Sequence, residues 1–250
     1  MPQGELKPVS RQAGYRPPKL PTSSTAAYAA RGSASTGASA NPAKRIPWAL
    51  PEQGLAVFHG HPDVPRLFHY FLPRLIAQER PVLCLDGANR FDPLLIARFA
   101  RERGVEAAVF NQRIRVARAF TCFQLTELLV RAPRWLEKFP ARAVVVTALP
   151  DLYFDEDVRE REAAASFQRA LEALRFLQRQ PALATAVFCD AGSFETPRKR
   201  FFAQLLARAN QVSRFVLEEG DHLALVGEKF LRPAPRALPP PAMARNAASA

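Results

Sequence analysis

From residue 54 to residue 226 the spacing of apolar side chains changes back and forth. Short unbroken apolar runs alternate with stretches where apolar residues return every three or four positions. The first kind suits a strand buried on both faces; the second suits an amphipathic helix. Residues 54–58 form the first predicted strand. Val64, Leu67, Phe68, Phe71, Leu72, Leu75 and Ile76 then mark one helix face, which Pro73 should kink. Residues 81–86 predict a second strand. Asp92 and Pro93 read as N-cap and first helical residue, with Gly104 closing that helix at about Arg103.

Residues 105–110 and 114–119 predict two short extended segments. Thr121 and Gln124 have capping-box spacing and open a helix that turns Leu125, Leu128 and Leu129 inward. The β-branched run at residues 142–147 predicts another strand. A long helix over about 158–179 buries Phe167, Leu171, Leu174 and Leu177. A strand follows at 183–189, and Thr196 and Pro197 start a last helix reaching Asn210. Residues 212–217 and 222–226 flank a Glu-Glu-Gly-Asp turn and read as a hairpin. This order predicts an α/β domain: a mainly parallel sheet with right-handed crossovers, helices on its faces and an antiparallel hairpin at the C-terminal edge.

Composition sets the boundaries. Residues 1–45 are poor in large apolar side chains and hold six prolines, so they predict a disordered arm; residues 233–250 predict a Pro/Ala-rich tail, leaving 46–232 as the folded core. The net charge of +12 is concentrated in these ends, since the arm carries Lys7, Arg11, Arg16, Lys19, Arg31, Lys44 and Arg45 against Glu5 alone. Basic ends favour polyanions or serve only to keep a Pro/Ala/Ser-rich segment solvated. No apolar run approaches the roughly 20 residues of a membrane span, which predicts no membrane partner. Cys84, Cys122 and Cys189 form no metal or disulfide spacing, so a cytoplasmic, reducing setting is expected.

The chemistry suggested by this layout lies between the first strand and first helix. A phosphate-binding loop, G-x-x-x-x-G-K-[ST], belongs there. Gly60 stands at its first glycine, but Pro65, Arg66 and Leu67 replace its last three positions. Proline has no N–H for a phosphate, and leucine offers no oxygen to Mg²⁺. Arg66 keeps a charge near the phosphate position without the compact ammonium of lysine.

Five segments, in order, resemble the RecA/RadA recombinase ATPase core. Residues 50–60, with Ser35, Thr36 and Gly37 upstream, look like its entry to the phosphate loop. Residues 83–93 look like its "hhDTEGTFRPER" segment, and 116–120 are similar to its "ARAF" strand. Residues 144–153 look like its Walker B segment, and 186–190 occupy the place of a strand ending in Asn-Gln. The resemblance spans about 35–232 and implies a RecA-like fold. It puts Ala88 at the catalytic glutamate, Thr147 at the Walker B aspartate and Asp190 at the nucleotide-sensing glutamine. Positioning and charge stabilisation are nearly the whole of phosphoryl-transfer catalysis. The expectation is a catalytically inactive paralogue, not an enzyme, with no cofactor. Its partners would be a RecA-family recombinase or another DNA-repair protein, and single-stranded DNA.

The first DNA loop of the family falls at Phe154–Asp157, which is acidic. The second falls at 191–202, where Arg198, Lys199, Arg200 and Phe201 are the DNA-binding candidates by charge and stacking; packing of Phe201 and Phe202 inward is the competing reading. Two other functions stay open. One is a weak ATP-binding switch without efficient hydrolysis, built on Gly60 and Arg66. The other is a metal-dependent hydrolase using His59 and His61 with Asp86 and Asp190, all at strand ends.

Overall fold

The computed structural model describes residues 48–193, 195–218 and 222–230. The predicted arm and tail, Phe194 and the middle of the hairpin turn lie outside these residues. The chain runs through β1 (Gly54–His59), α1 (Val64–Leu67), α2 (Leu72–Ala77), β2 (Val82–Asp86), α3 (Pro93–Glu102), α4 (Ala107–Gln112) and β3 (Ile114–Arg118). It continues through α5 (Cys122–Lys138), β4 (Ala143–Thr147), α6 (Glu160–Gln178), β5 (Ala184–Phe188), α7 (Arg200–Arg208), β6 (Gln211–Glu218) and β7 (His222–Phe230).

The strands form one seven-stranded sheet in the order β3-β2-β4-β5-β1-β6-β7. All pairs are parallel except β6 with β7. The expected α/β class, mainly parallel sheet and antiparallel C-terminal hairpin are therefore present. β1, β2, β4 and β5 are buried along their whole length because both faces are covered. Leu55, Val57, Leu85, Val146 and Val187 meet α5, α6 and α7 on one face. Ala56, Phe58, Cys84, Val145 and Phe188 meet the α1–α4 layer on the other. Parallel register aligns Asp86 with Thr147 and with Arg118, Thr147 with Phe188, and His59 with Arg214, along the carboxyl rim of the sheet.

Two local expectations need correction. The helix expected over 64–76 is broken into α1, a 3-10 turn at Phe68–Tyr70, and α2. Pro73 sits in the first turn of α2, where a missing N–H leaves no hydrogen bond unmade, so the chain restarts instead of kinking. The extended segment expected at 105–110 is α4 instead. Ala107 and Ala108 favour a helix, and Phe110 is the buried anchor while Val109 is exposed. The capping box at Thr121 forms with a shift: Thr121 Oγ1 accepts from Gln124 N at 3.2 Å, but Gln124 Oε1 takes the N–H of Phe120 at 2.8 Å.

A buried hydroxyl cluster ties the α5–α6 layer together. Thr126 Oγ1 lies 2.9 Å from Cys122 O and 2.7 Å from both Tyr153 Oη and Ser166 Oγ. Replacing Thr126 by valine keeps the shape but leaves two hydroxyls in an apolar layer short of a partner. The expected loss is about 2 kcal/mol in a urea unfolding curve. Adding Tyr153→Phe to that variant should cost less than it does alone, because the shared bond is already gone.

Candidate functional site

The carboxyl ends of β1, β2, β4 and β5 are where an open parallel sheet places a ligand. The loop after β1 has little to offer a phosphate. Asp63 N donates to His61 Nδ1 at 3.1 Å, Val64 N to His61 O at 2.9 Å, and Arg66 N to Asp63 O at 2.8 Å. Pro62 and Pro65 carry no N–H. The amides of Asp63, Val64 and Arg66 are thus spent within the loop, and those of Pro62 and Pro65 are absent. Gly60 holds φ 103°, and a Cβ there would strike the Arg214 side chain and come within 2.8 Å of Phe215 O. The glycine serves close backbone packing. Leu67, at the Mg²⁺-binding Ser/Thr position of such a loop, is buried in the core. Arg66 is half-buried, and its carbonyl accepts from His69 Nδ1 at 2.7 Å.

That bond helps define a histidine whose role the sequence did not reveal. His69 Nε2 accepts the Asp92 N–H at 2.9 Å while Nδ1 donates to Arg66 O. The ring joins the α1 region to the N-cap of α3, where Asp92 Oδ1 accepts from Leu94 N and Leu95 N. Both bonds suit the neutral tautomer, and burial lowers the pKa of His69, which favours that state.

Asp86 is a loop organiser. Its Oδ1 accepts from Thr147 Oγ1 at 2.9 Å and Arg90 N at 3.1 Å, and its Oδ2 from Phe91 N at 2.8 Å. Thr147 Oγ1 in turn accepts from Ala88 N at 3.0 Å. The two positions that the resemblance matches to catalytic and metal-binding acids, Ala88 and Thr147, are thus joined by a backbone-to-hydroxyl bond.

The metal set is not assembled. His59 Nε2 lies 2.8 Å from Glu228 Oε2, and Arg214 Nε donates to the other oxygen of Glu228 at 2.8 Å. His61 Nδ1 takes the Asp63 amide, and Asp86 is committed to its own loop. Among the described residues, no three His, Cys, Asp or Glu side chains are grouped to hold a metal ion. Glu228 escaped the sequence reading because it arrives from β7, 169 residues after His59.

Asp190 meets a different group. Its backbone N–H donates to Asp151 Oδ2 at 2.9 Å. Asp151 Oδ1 and Asp190 Oδ1 are both buried with no hydrogen-bond partner among the described residues. Burial pushes the Asp151 carboxyl up to about 7, with the Asp190 carboxylate adding to the rise. The three thiols are buried too, and burial raises each of them, so none is an activated nucleophile.

The segment read as a nucleic-acid grip is turned largely inward. Arg198 is 7% exposed and donates to Tyr153 O at 3.1 Å, Asp155 O at 2.6 Å, and Val158 O. Phe201 is buried and stacks on Phe167 with ring centroids 4.7 Å apart, so its face is not open to a base. Lys199 and Arg200 face solvent, and Arg200 pairs with Glu160 at 2.7 Å. The inward pull comes from apolar burial of Phe201 and Phe202 and from three carbonyls that need a donor.

The described residues therefore define an α/β protein with a mostly parallel sheet, several of whose carboxyl-rim side chains are bonded to one another. No protein-family model matches the chain, and no curated protein matches it in sequence. Among the described residues, no helix is long and apolar enough to cross a membrane.

Proposed function

We propose that this chain is a RecA/RadA-like paralogue without ATP hydrolysis that works by binding a protein partner, a recombinase or another DNA-repair factor. The observation that carries the loss of catalysis is the loop after β1, whose amides at Asp63, Val64 and Arg66 are internally bonded. The resemblance of the five segments supports the recombination setting.

A binding role needs a surface, and the β3 edge supplies one. Among the described residues β3 pairs only with β2, so its outer row of backbone groups faces no other described strand and suits strand addition. Val116, Phe120 and Phe123 are exposed beside it. A cavity of about 410 Å³ opens there, lined by Val116, Ala117, Trp135 and Phe139 and bordered by Arg115 and Lys138. An extended segment with one apolar anchor and acidic flanks matches this surface by strand addition, pocket filling and charge.

The test is co-sedimentation of the purified full chain with a RecA-family recombinase assembled on single-stranded DNA. The expected result is co-sedimentation that drops at least tenfold in Val116→Arg, with no phosphate released from ATP by the chain alone. Absence of co-sedimentation, or ATP turnover by the chain, overturns the reading.

A further inference from the structure

At the opposite end of the strands from the β1 loop lies a cavity of about 490 Å³, within the size range of small-molecule sites. Three arginines from three separate elements line it: Arg74 from α2, Arg80 just before β2, and Arg142 just before β4. Its apolar wall includes Trp48, Phe71 and Leu75. Trp48 stacks on Phe71 with centroids 5.9 Å apart and planes 20° apart, and remains half-exposed.

The arginines are not all occupied by the fold. Arg80 is held in place by its Nη2, which makes long bonds of 3.3–3.5 Å to the carbonyls of Pro51, Glu52 and Arg142. Burial pulls the Arg80 guanidinium below its ordinary value; Glu52, an acid of the same lining, opposes the fall and Arg142 adds to it, leaving a net cost that an anion would offset. The side chains of Arg74 and Arg142 are exposed and have no hydrogen bond or ion pair among the described residues. Of the acids in the lining, Glu79 is 3.5 Å from Arg113, outside the cavity lining. Glu79 and Ala182, both in the lining, hold φ 55°, a conformation costly for residues other than glycine.

Guanidinium groups reaching one space from three elements suit a tetrahedral dianion better than a planar carboxylate, which one arginine fork can satisfy. A half-exposed indole beside them suits a flat ring. We infer that this cavity at the amino end of the sheet binds an aromatic or heterocyclic phosphomonoester of about mononucleotide size. The phosphate lies among Arg74, Arg80 and Arg142 and the ring against Trp48. The site is independent of the β1 loop and of the proposed partner surface on β3.

The chain has two tryptophans, and the other, Trp135, lines the β3 cavity. In a Trp135→Phe variant of the full chain, Trp48 is therefore the sole indole reporter. Titration with AMP should quench its fluorescence saturably. Inorganic phosphate, which lacks the ring, and adenosine, which lacks the charge, should each bind at least about tenfold more weakly. The double variant Arg74→Ala, Arg142→Ala should lose at least about tenfold in AMP affinity, with its melting temperature close to that of the parent. Calorimetric titration of the unmodified chain with AMP reads the same binding without Trp135→Phe. Absence of saturable AMP binding by calorimetry, or equal AMP affinity in the double-arginine variant, overturns the inference.

Discussion

Replacing Arg198 by alanine is expected to cost about 3–5 kcal/mol of folding stability. The guanidinium is buried and donates to the carbonyls of Tyr153, Asp155 and Val158. Those carbonyls belong to the 3-10 turn after β4 and to the approach to α6, while Arg198 belongs to the approach to α7. One side chain thus joins two crossings at the carboxyl end of the sheet. Alanine would leave buried acceptors unpaired and a void where the fork had been. Lysine keeps the charge but cannot span three acceptors with a planar fork, so it should recover only part of the loss. Arg200→Ala should stay within about 0.5 kcal/mol, since its pair with Glu160 is exposed at both ends. Chemical denaturation midpoints with unchanged slope would measure all three. If Arg198→Ala retains the parent stability but loses binding to single-stranded DNA, the inward assignment of this residue is wrong.

Asp151→Asn is expected to act in the other direction and to stabilise the protein at neutral pH. Asp151 titrates at about 7 in the fold, raised from 3.8, because burial and the neighbouring Asp190 carboxylate oppose its ionisation. The folded state therefore holds the proton more tightly than the unfolded chain. On account of this group, stability is fully present below about pH 4, is lost as pH rises toward 7, and is flat above. At 1.36 kcal/mol per unit, the loss reaches at most about 4 kcal/mol by pH 8. Asparagine has no charge to bury. Its carbonyl can still accept the Asp190 N–H. The stability difference between variant and parent should be largest near pH 8 and shrink toward zero near pH 4. Urea unfolding of both proteins at pH 4, 6 and 8 tests this; a variant less stable than the parent at pH 8 would contradict it.

Both effects arise at the carboxyl rim, where a working nucleotide site would expose its polar groups. Here Asp86 and Thr147 bond to each other and to the amides of Ala88, Arg90 and Phe91. His59 is held by Glu228, and the β1 loop bonds to itself. These contacts are consistent with a rim stabilised as packing, in line with the proposed loss of catalysis.

Most strands and helices were legible in the amino-acid order because period is a local property. The run at 142–147 can be buried on both faces only as a central strand, and Asp92 with Pro93 starts a helix by hydrogen bonds within its own first turn. The missing proline N–H and the missing lysine of the β1 loop could likewise be read without coordinates. The α4 segment could not, because a six-residue apolar stretch has no decisive period and its state depends on neighbours. The use made of each polar side chain was also hidden. Arg198 looked like a free cation until three carbonyls closed around it. Asp151 looked unremarkable until β5 brought Asp190 beside it, and the partner of His59 waited on the far end of the hairpin. The order of residues thus settled the α/β layout, which needs only the chain's own periodicity and chemistry. Which charges are buried, paired or exposed was settled by folding, because that depends on groups tens to hundreds of residues apart meeting at one rim.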